Sequence, residues 1–222
     1  MSAVLEPGNS RTISSNQASV HDALVPTVER FRHARFHKPI APFNQAAFEQ
    51  AQALYEAHQG ELILDSGCGV GESTCHLARQ YPNALVLGLD RSEDRLSRQR
   101  ADTPDNAHFI RTDLVDFWRL AMRARWRPRK HCLYYPNPYP KKRQLKQRWH
   151  GHPVFPALVA LGGELACRSN WSIYLEELRM ALSRYDIPAS ITPVTERHSL
   201  TPFERKYRAS RQPVWELKAQ LN

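Results

Sequence analysis

Glu61-Leu-Ile-Leu-Asp65-Ser-Gly67-Cys-Gly69-Val-Gly71, continued by helix formers to Gln80 and then by Ala84-Leu-Val-Leu-Gly-Leu-Asp90, decides how this chain is read. Leu62 to Leu64 is a short apolar run of strand type, stopped abruptly by glycines at 67, 69 and 71. Glycines at alternate positions let the backbone turn sharply and lie against a ligand with no Cβ in the way. Glu72 to Gln80 reads as a helix whose first N–H groups point at whatever the loop cradles. Ala84 to Leu89 reads as a second strand. Asp90 follows it and puts a carboxylate at the strand's C-terminal edge, where open α/β sheets bind ligands. Strand, loop, helix, strand and acid in that order point to a nucleoside-type cofactor. The plainer alternative is a glycine-rich turn in an ordinary α/β protein.

Dinucleotides prefer Gly-x-Gly-x-x-Gly, whose third glycine would fall at Glu72, so that fingerprint is broken here. The observed Asp-x-Gly-x-Gly-x-Gly, with an acid closing the next strand, resembles the class I S-adenosylmethionine methyltransferases. The resemblance implies that Gly67, Gly69 and Gly71 back the amino-acid part of S-adenosylmethionine. It also implies that Asp65 orients its ammonium and Asp90 takes both ribose hydroxyls.

The 222 residues suit one domain with a full-sized core, and 41% hydrophobic with 24% charged is a globular composition. No run approaches the ~20 apolar residues that span a bilayer, so no membrane is expected. The N-terminus lacks the apolar core of a secretory signal, and a cytoplasmic location is the expectation. Cys68, Cys75, Cys132 and Cys167 form no ligand grouping, so they are expected as reduced thiols with no metal site. Between Arg119 and Arg148 stand 11 Lys/Arg residues and no acid, while the other 20 basic residues face 22 acidic ones. The whole net charge of +9 therefore comes from one segment. A basic patch bordering a cofactor site points to a polyanionic substrate such as nucleic acid. A solvated surface is the bland alternative.

Residues 1–38 are expected as a flexible basic tail and 39–222 as the domain. Arg30 to Lys38, basic and interleaved with aromatics, is either a phosphate-contacting stretch or an arm packed on the domain. Helices are expected over Phe43 to His58, Ser92 to Arg100, Leu114 to Arg123 and Trp171 to Leu182, with two helical pieces around Gly151 and Pro153. His108 to Arg111, His131 to Tyr135 and Glu164 to Arg168 read as strands three to five. Ser190 to Thr195 and Val214 to Leu217 read as a closing hairpin. Asp113 caps the helix that follows it or, as methyltransferases of this fold imply, lies on the adenine.

After the fourth strand comes Tyr135-Pro-Asn-Pro-Tyr-Pro-Lys-Lys-Arg143, with Lys146 and Arg148 close behind. It resembles the Phe-Pro-Asp-Pro-Trp-Pro-Lys-Lys-Arg-His signature of the tRNA (guanine-N7)-methyltransferase family. Asn170-Trp171-x-x-Tyr174 is similar to that family's Asp-Trp-x-x-Tyr, and Thr201-Pro-Phe-Glu204-Arg205 to its Thr-Lys-Phe-Glu-x-Arg. The likeness runs in order over roughly residues 40 to 218. It implies an α/β fold: a single Rossmann-like class I methyltransferase domain with a seven-stranded, mostly parallel sheet and helices on both faces. It implies Asp65, Asp90 and Asp113 on S-adenosylmethionine, with Asn137 beside the methyl group as the catalytic position. Lys141, Asn170, Thr201 and Glu204 would meet the guanosine, Glu204 having the plainer alternative of a salt bridge to Arg205 or Arg208, and Lys142, Arg143, Lys146 and Arg148 the RNA phosphates.

Asn137 and Asn170 stand where the family has Asp, so two negative charges are missing at substrate-facing positions. Guanine N7 has a free lone pair and no proton, so methyl transfer there needs positioning more than a strong base. Three alternatives stay open. Asn137-Pro138-Tyr139 is similar to the Asn-Pro-Pro-Tyr loop of exocyclic-amine methyltransferases. A small molecule is a second possible acceptor, and an RNA-binding relative that has lost catalysis is the third. A tRNA partner is expected, and the sequence leaves open whether the chain is a monomer or a homodimer.

Overall fold

The computed structural model describes residues 8–98, 102–196 and 198–221. Its strands are β1 (Glu61–Ser66), β2 (Ala84–Asp90), β3 (Ala107–Arg111), β4 (Lys130–Tyr134), β5 (Gly163–Ser169), β6 (Ala189–Pro193) and β7 (Trp215–Leu221). They form one sheet in the order β3-β2-β1-β4-β5-β7-β6. Pairs among β1 to β5 are parallel, while β7 runs antiparallel to both β5 and β6. The closing hairpin expected from sequence is there, and β7 lies between β6 and the rest of the sheet.

Strand periodicity divides the core. Leu62 and Leu64 of β1, Leu85, Leu87 and Leu89 of β2 and Leu133 of β4 face the larger side. That side carries α1 (Leu24–Arg32), α2 (Pro42–His58), α5 (Leu114–Arg123), α6 (Phe155–Ala160) and α7 (Ser172–Ser183). Ile63, Val86, Cys132 and Ala166 face the other side, where Leu77 and Ala78 of α3 (Glu72–Gln80) cover them. Two further helices, α4 (Glu93–Leu96) and α8 (Pro202–Ala209), sit in connections. Ser92 caps α4 through the Arg95 N–H at 3.3 Å, but α4 ends at Leu96: Ser97 and Arg98 are turn and bend instead of the expected helix, and residues 99 and 100 lie outside the described residues.

The segment expected as a flexible tail differs most. Residues 1–7 lie outside the described residues, but residues 24–32 form α1. Leu24 and Val28, one helical turn apart, are buried against α6 and α7. Pro26 sits in the first turn, where a missing N–H costs no helical bond. Polar composition hid this helix, because two well-placed apolar residues suffice once a groove exists for them. Residues 36–41 are the packed arm: Arg119 donates to the Phe36 and Lys38 carbonyls at 3.1 and 2.6 Å, and the Lys38 ammonium pairs with buried Asp116 at 3.3 Å.

Candidate active site

Strand order reverses between β1 and β4, so their C-terminal ends open a crevice. β1 delivers the glycine loop to one wall and β4 delivers the Tyr135–Lys141 turn to the other. The loop is anchored to β2: the Gly67 and Cys68 N–H groups donate to the Leu89 carbonyl at 2.7 and 3.0 Å. Gly67 and Gly69 have φ of +81° and +60°, which a side chain would strain. A Cβ at Gly67 would meet nothing within 4 Å. The loop therefore leaves room against its backbone for a ligand.

Asp90 lies at the end of β2, its side chain only 4% exposed. It accepts from the Gly69 N–H at 3.0 Å and the Ser92 N–H at 2.8 Å, and the Arg95 guanidinium sits 3.2 Å away. Asp65 is buried and turned the other way, accepting from the Ser73 and Thr74 hydroxyls of α3 at 2.6 and 2.7 Å. Burial raises its carboxyl to about 6 in spite of those two donors, with Asp90 adding to the rise. Asp65 thus fixes the loop against α3. Asp113 caps α5, accepting from the Val115 N–H at 2.8 Å. Its own N–H donates to Asn44, which reaches across from α2.

The turn after β4 is held under strain. Tyr135 and Tyr139 have φ of +55° and +45°, the left-handed region that side chains disfavour by about 1–3 kcal/mol each. Contacts impose this shape. The Tyr135 N–H donates to the Arg168 carbonyl at 2.8 Å, and its ring meets Tyr207 with centroids 5.4 Å apart. The Tyr139 carbonyl takes two bonds from Arg148, at 3.1 and 3.0 Å. Between these fixed points Asn137 is exposed at the crevice, its Oδ1 3.4 Å from the Tyr139 N–H. Lys141, Lys142, Arg143 and Lys146 follow, all exposed.

Arg148 departs from expectation. It is 0% exposed and cannot reach an RNA phosphate. Its guanidinium pairs with Glu177 of α7 at 2.6 Å and bonds Gln17 at 3.1 Å. His150 joins the same carboxylate at 2.8 Å, and burial lowers that histidine's affinity for a proton. Gln17 and the His21 N–H reach the other Glu177 oxygen at 2.5 and 3.0 Å. The Ser15 hydroxyl donates to the Pro140 carbonyl at 2.6 Å. One buried cluster therefore bolts the N-terminal segment to the Tyr135–Lys141 turn.

Glu204 is the second correction. It is 0% exposed, paired with Arg168 at 3.3 Å and Arg208 at 2.8 Å, while Arg168 also binds Glu216 at 2.9 Å. A carboxylate enclosed by two guanidiniums has no face left for a base. Thr201 caps α8 through the Glu204 N–H at 3.1 Å and is buried. Asn170 is partly exposed and donates to Gln212 at 2.8 Å, and Gln212 in turn donates to the Ser10 carbonyl. Arg205 clamps Glu72 through two bonds of 2.7 and 2.9 Å, tying α8 to the start of α3.

The basic segment is also not one patch. Arg123, Arg125, Arg127 and Arg129 precede β4, and Lys141 to Lys146 follow it. Five strand residues separate them by roughly 16 Å, beyond the screening length of about 8–10 Å in ordinary salt. Arg119, Arg129, Lys130 and Arg148 are moreover ion-paired. Only the second group borders the crevice.

Sequence reasoning passed over Gln17, Arg168 and Glu177. Glu177 alone left a signal: an acid beside Tyr174 and Leu178 on the apolar stripe of α7.

A family model described as "Putative methyltransferase" matches residues 59–217. A tRNA (guanine-N(7)-)-methyltransferase of Acidovorax sp. (strain JS42) is 27% identical over 76% of this chain and 73% of its own length. One from Nitrosococcus oceani is 28% identical over 80% and 75%. Among solved structures, the 16S rRNA methyltransferase KamB superposes with a TM-score of 0.53 at 17% identity, covering 83% of this chain and 95% of that one. The aminoglycoside resistance methyltransferase NpmB1 gives 0.53 at 18%, covering 79% and 93%. At these identities the solved structures bear on the fold. Among the described residues no helix is long and apolar enough to cross a membrane.

Proposed function

This chain belongs to the methyltransferase family matched over residues 59–217, and from that premise we propose that it methylates N7 of a guanosine in tRNA. The enzyme class is an S-adenosylmethionine-dependent methyltransferase. When bound, the cofactor supplies a methyl group on a positively charged sulfur. The open backbone at Gly67 and Gly69 and the Asp90 carboxylate closing β2 suit its amino-acid and ribose parts. Gly71 starts α3, Asp65 keeps the loop in shape, and Asp113 borders the adenine side.

The observation that carries the reading is the Asn137 turn. It stands opposite the glycine loop at the point of strand reversal, with Lys141, Lys142, Arg143 and Lys146 exposed just beyond it. A nucleobase placed at Asn137 thus has its phosphates against four cations. Lys141, Asn170 and Thr201 border the base; Thr201 offers little more than its backbone, since its hydroxyl is spent on the α8 cap. With Asn137 neutral and Glu204 already paired, neither position offers a free carboxylate to balance positive charge developing on the ring. Rate then rests on placement of the N7 lone pair.

The test is transfer of labelled methyl from S-adenosylmethionine to unmodified bulk tRNA, followed by nucleoside digestion. N7-methylguanosine is the expected product. A second reading, methylation of an exocyclic amine, draws on the same absence of free carboxylate and on the amide of Asn137, which can accept an amine hydrogen. An N-methylated amino nucleoside in the digest would select it.

A further inference from the structure

Among the described residues three large apolar side chains are exposed: Phe43, Met180 and Phe203. Phe43 carries the Arg111 guanidinium over its ring at 5.1 Å, and Met180 lines a shallow depression under Val20 and Ile173. Phe203 differs from both. It is 50% exposed on the first turn of α8, and its inner face meets Tyr207 one helical turn on, centroids 6.4 Å apart and planes 24° from parallel. Tyr207 in turn meets Tyr135 at 5.4 Å and 48°. Tyr135 is two residues before Asn137. Three rings therefore run from solvent to the start of the Tyr135–Lys141 turn, and the outermost is half exposed.

The charge around this ladder selects its occupant. The acids of α8 and its neighbours are each paired: Glu204 is buried between Arg168 and Arg208, Glu72 meets Arg205 on the surface, and exposed Glu196 meets Arg168. Lys206, on the turn after Phe203, is exposed, and Lys141 to Lys146 stand on the other side of Asn137. An apolar ring flanked by cations suits a flat heterocycle that carries its own phosphate. We infer that Phe203 and Tyr207 form a stacking platform for an unpaired nucleobase of RNA, adjacent to the base presented to Asn137. This rests on the RNA reading above and extends it: chemistry on a base inside a duplex needs that base unstacked, and an aromatic face beside the site takes up the stacking a neighbour loses. Stacking of this kind is tolerant of sequence and adds little to salt dependence, unlike the lysine contacts.

The experiment measures binding of an unmodified, fluorescein-labelled tRNA transcript to the full chain across a salt series, for wild type, Phe203→Ala, Phe203→Trp and Lys142→Ala. Phe203 is half exposed, so its replacement leaves the core intact. Phe203→Ala should weaken binding by about fivefold or more with the slope of log Kd against log salt unchanged. Phe203→Trp should restore binding and show tryptophan quenching on RNA addition, and Lys142→Ala should flatten the slope. Salt-dependent wild-type binding with Phe203→Ala inside twofold of it would overturn the platform while leaving the RNA reading standing. No wild-type binding would remove the RNA reading and the platform with it. A change of oligomeric state on Phe203→Ala in sedimentation, with RNA affinity unmoved, would assign the ring to a second copy of the chain and overturn the proposal.

Discussion

Replacing Glu177 by Gln keeps the volume and removes the charge that Arg148 was buried against. Burial alone would raise the Glu177 carboxyl, but His150 and Arg148 outweigh it and hold it at about 2, below the ordinary 4.5. A carboxyl depressed in the folded state contributes stability that is present above 4.5 and is lost as pH falls through about 2. The difference corresponds to about 3 kcal/mol at neutral pH. Mutational experience with buried pairs is similar, about 3–5 kcal/mol when one partner is removed. For a chain of this size the midpoint of thermal unfolding should drop by roughly 6–12 °C. Urea unfolding of wild type and Glu177→Gln at pH 7 measures the difference, and repeating it toward pH 3 should show the gap shrinking, because the unfolded chain takes up a proton there that the folded carboxyl, held at about 2, does not. Amide exchange adds a local readout, since Gln17 and the His21 N–H both bond Glu177. Protection should fall around residues 17–21 well before global unfolding. A gap under about 1 kcal/mol at pH 7, or one that does not change with pH, would refute the claim that this cluster holds the N-terminal segment to the acceptor turn.

Three other outcomes follow from the site. Asp90→Ala should abolish S-adenosylmethionine binding in calorimetry, whereas Lys141→Ala should leave it unchanged and weaken tRNA; equal loss in both would misplace Lys141. Lys142→Ala should reduce the salt slope of tRNA binding by about 0.7–0.9, while Arg125→Ala, on the far side of β4, should leave it unmoved. Asn137→Asp restores a charge beside the acceptor, and single-turnover methylation should speed up by about tenfold or more if charge on the ring limits the rate; an unchanged rate would show that placement alone does.

Much of the scaffold was legible because its signals are local. The apolar run 62–64, alternate glycines and Asp90 report on their own neighbours in the chain, and β1, α3 and β2 stand where those residues put them. The Asp113 cap and the closing hairpin are of the same kind. What failed in the reading shares one cause. The exposure of a charged side chain depends on partners far off in sequence, and no periodicity carries that. Arg148 sits in a run of exposed cations, and its burial is decided by Glu177 of α7 and by Gln17, 131 residues away. Glu204 keeps its spacing from Thr201, yet Arg168 on β5 takes its charge.

The sequence by itself determined the fold class, the glycine loop after β1 and the place of the Tyr135–Lys141 turn after β4, since these rest on short-range sterics and hydrogen bonding. Only the tertiary structure decided which charges remain available. Packing β4 between two basic stretches split one apparent patch in two, and burying Glu204 and Arg148 withdrew both from solvent. It also turned a polar N-terminal stretch into a structural element, because Leu24, Val28 and Gln17 find their partners only once α6 and α7 are in place.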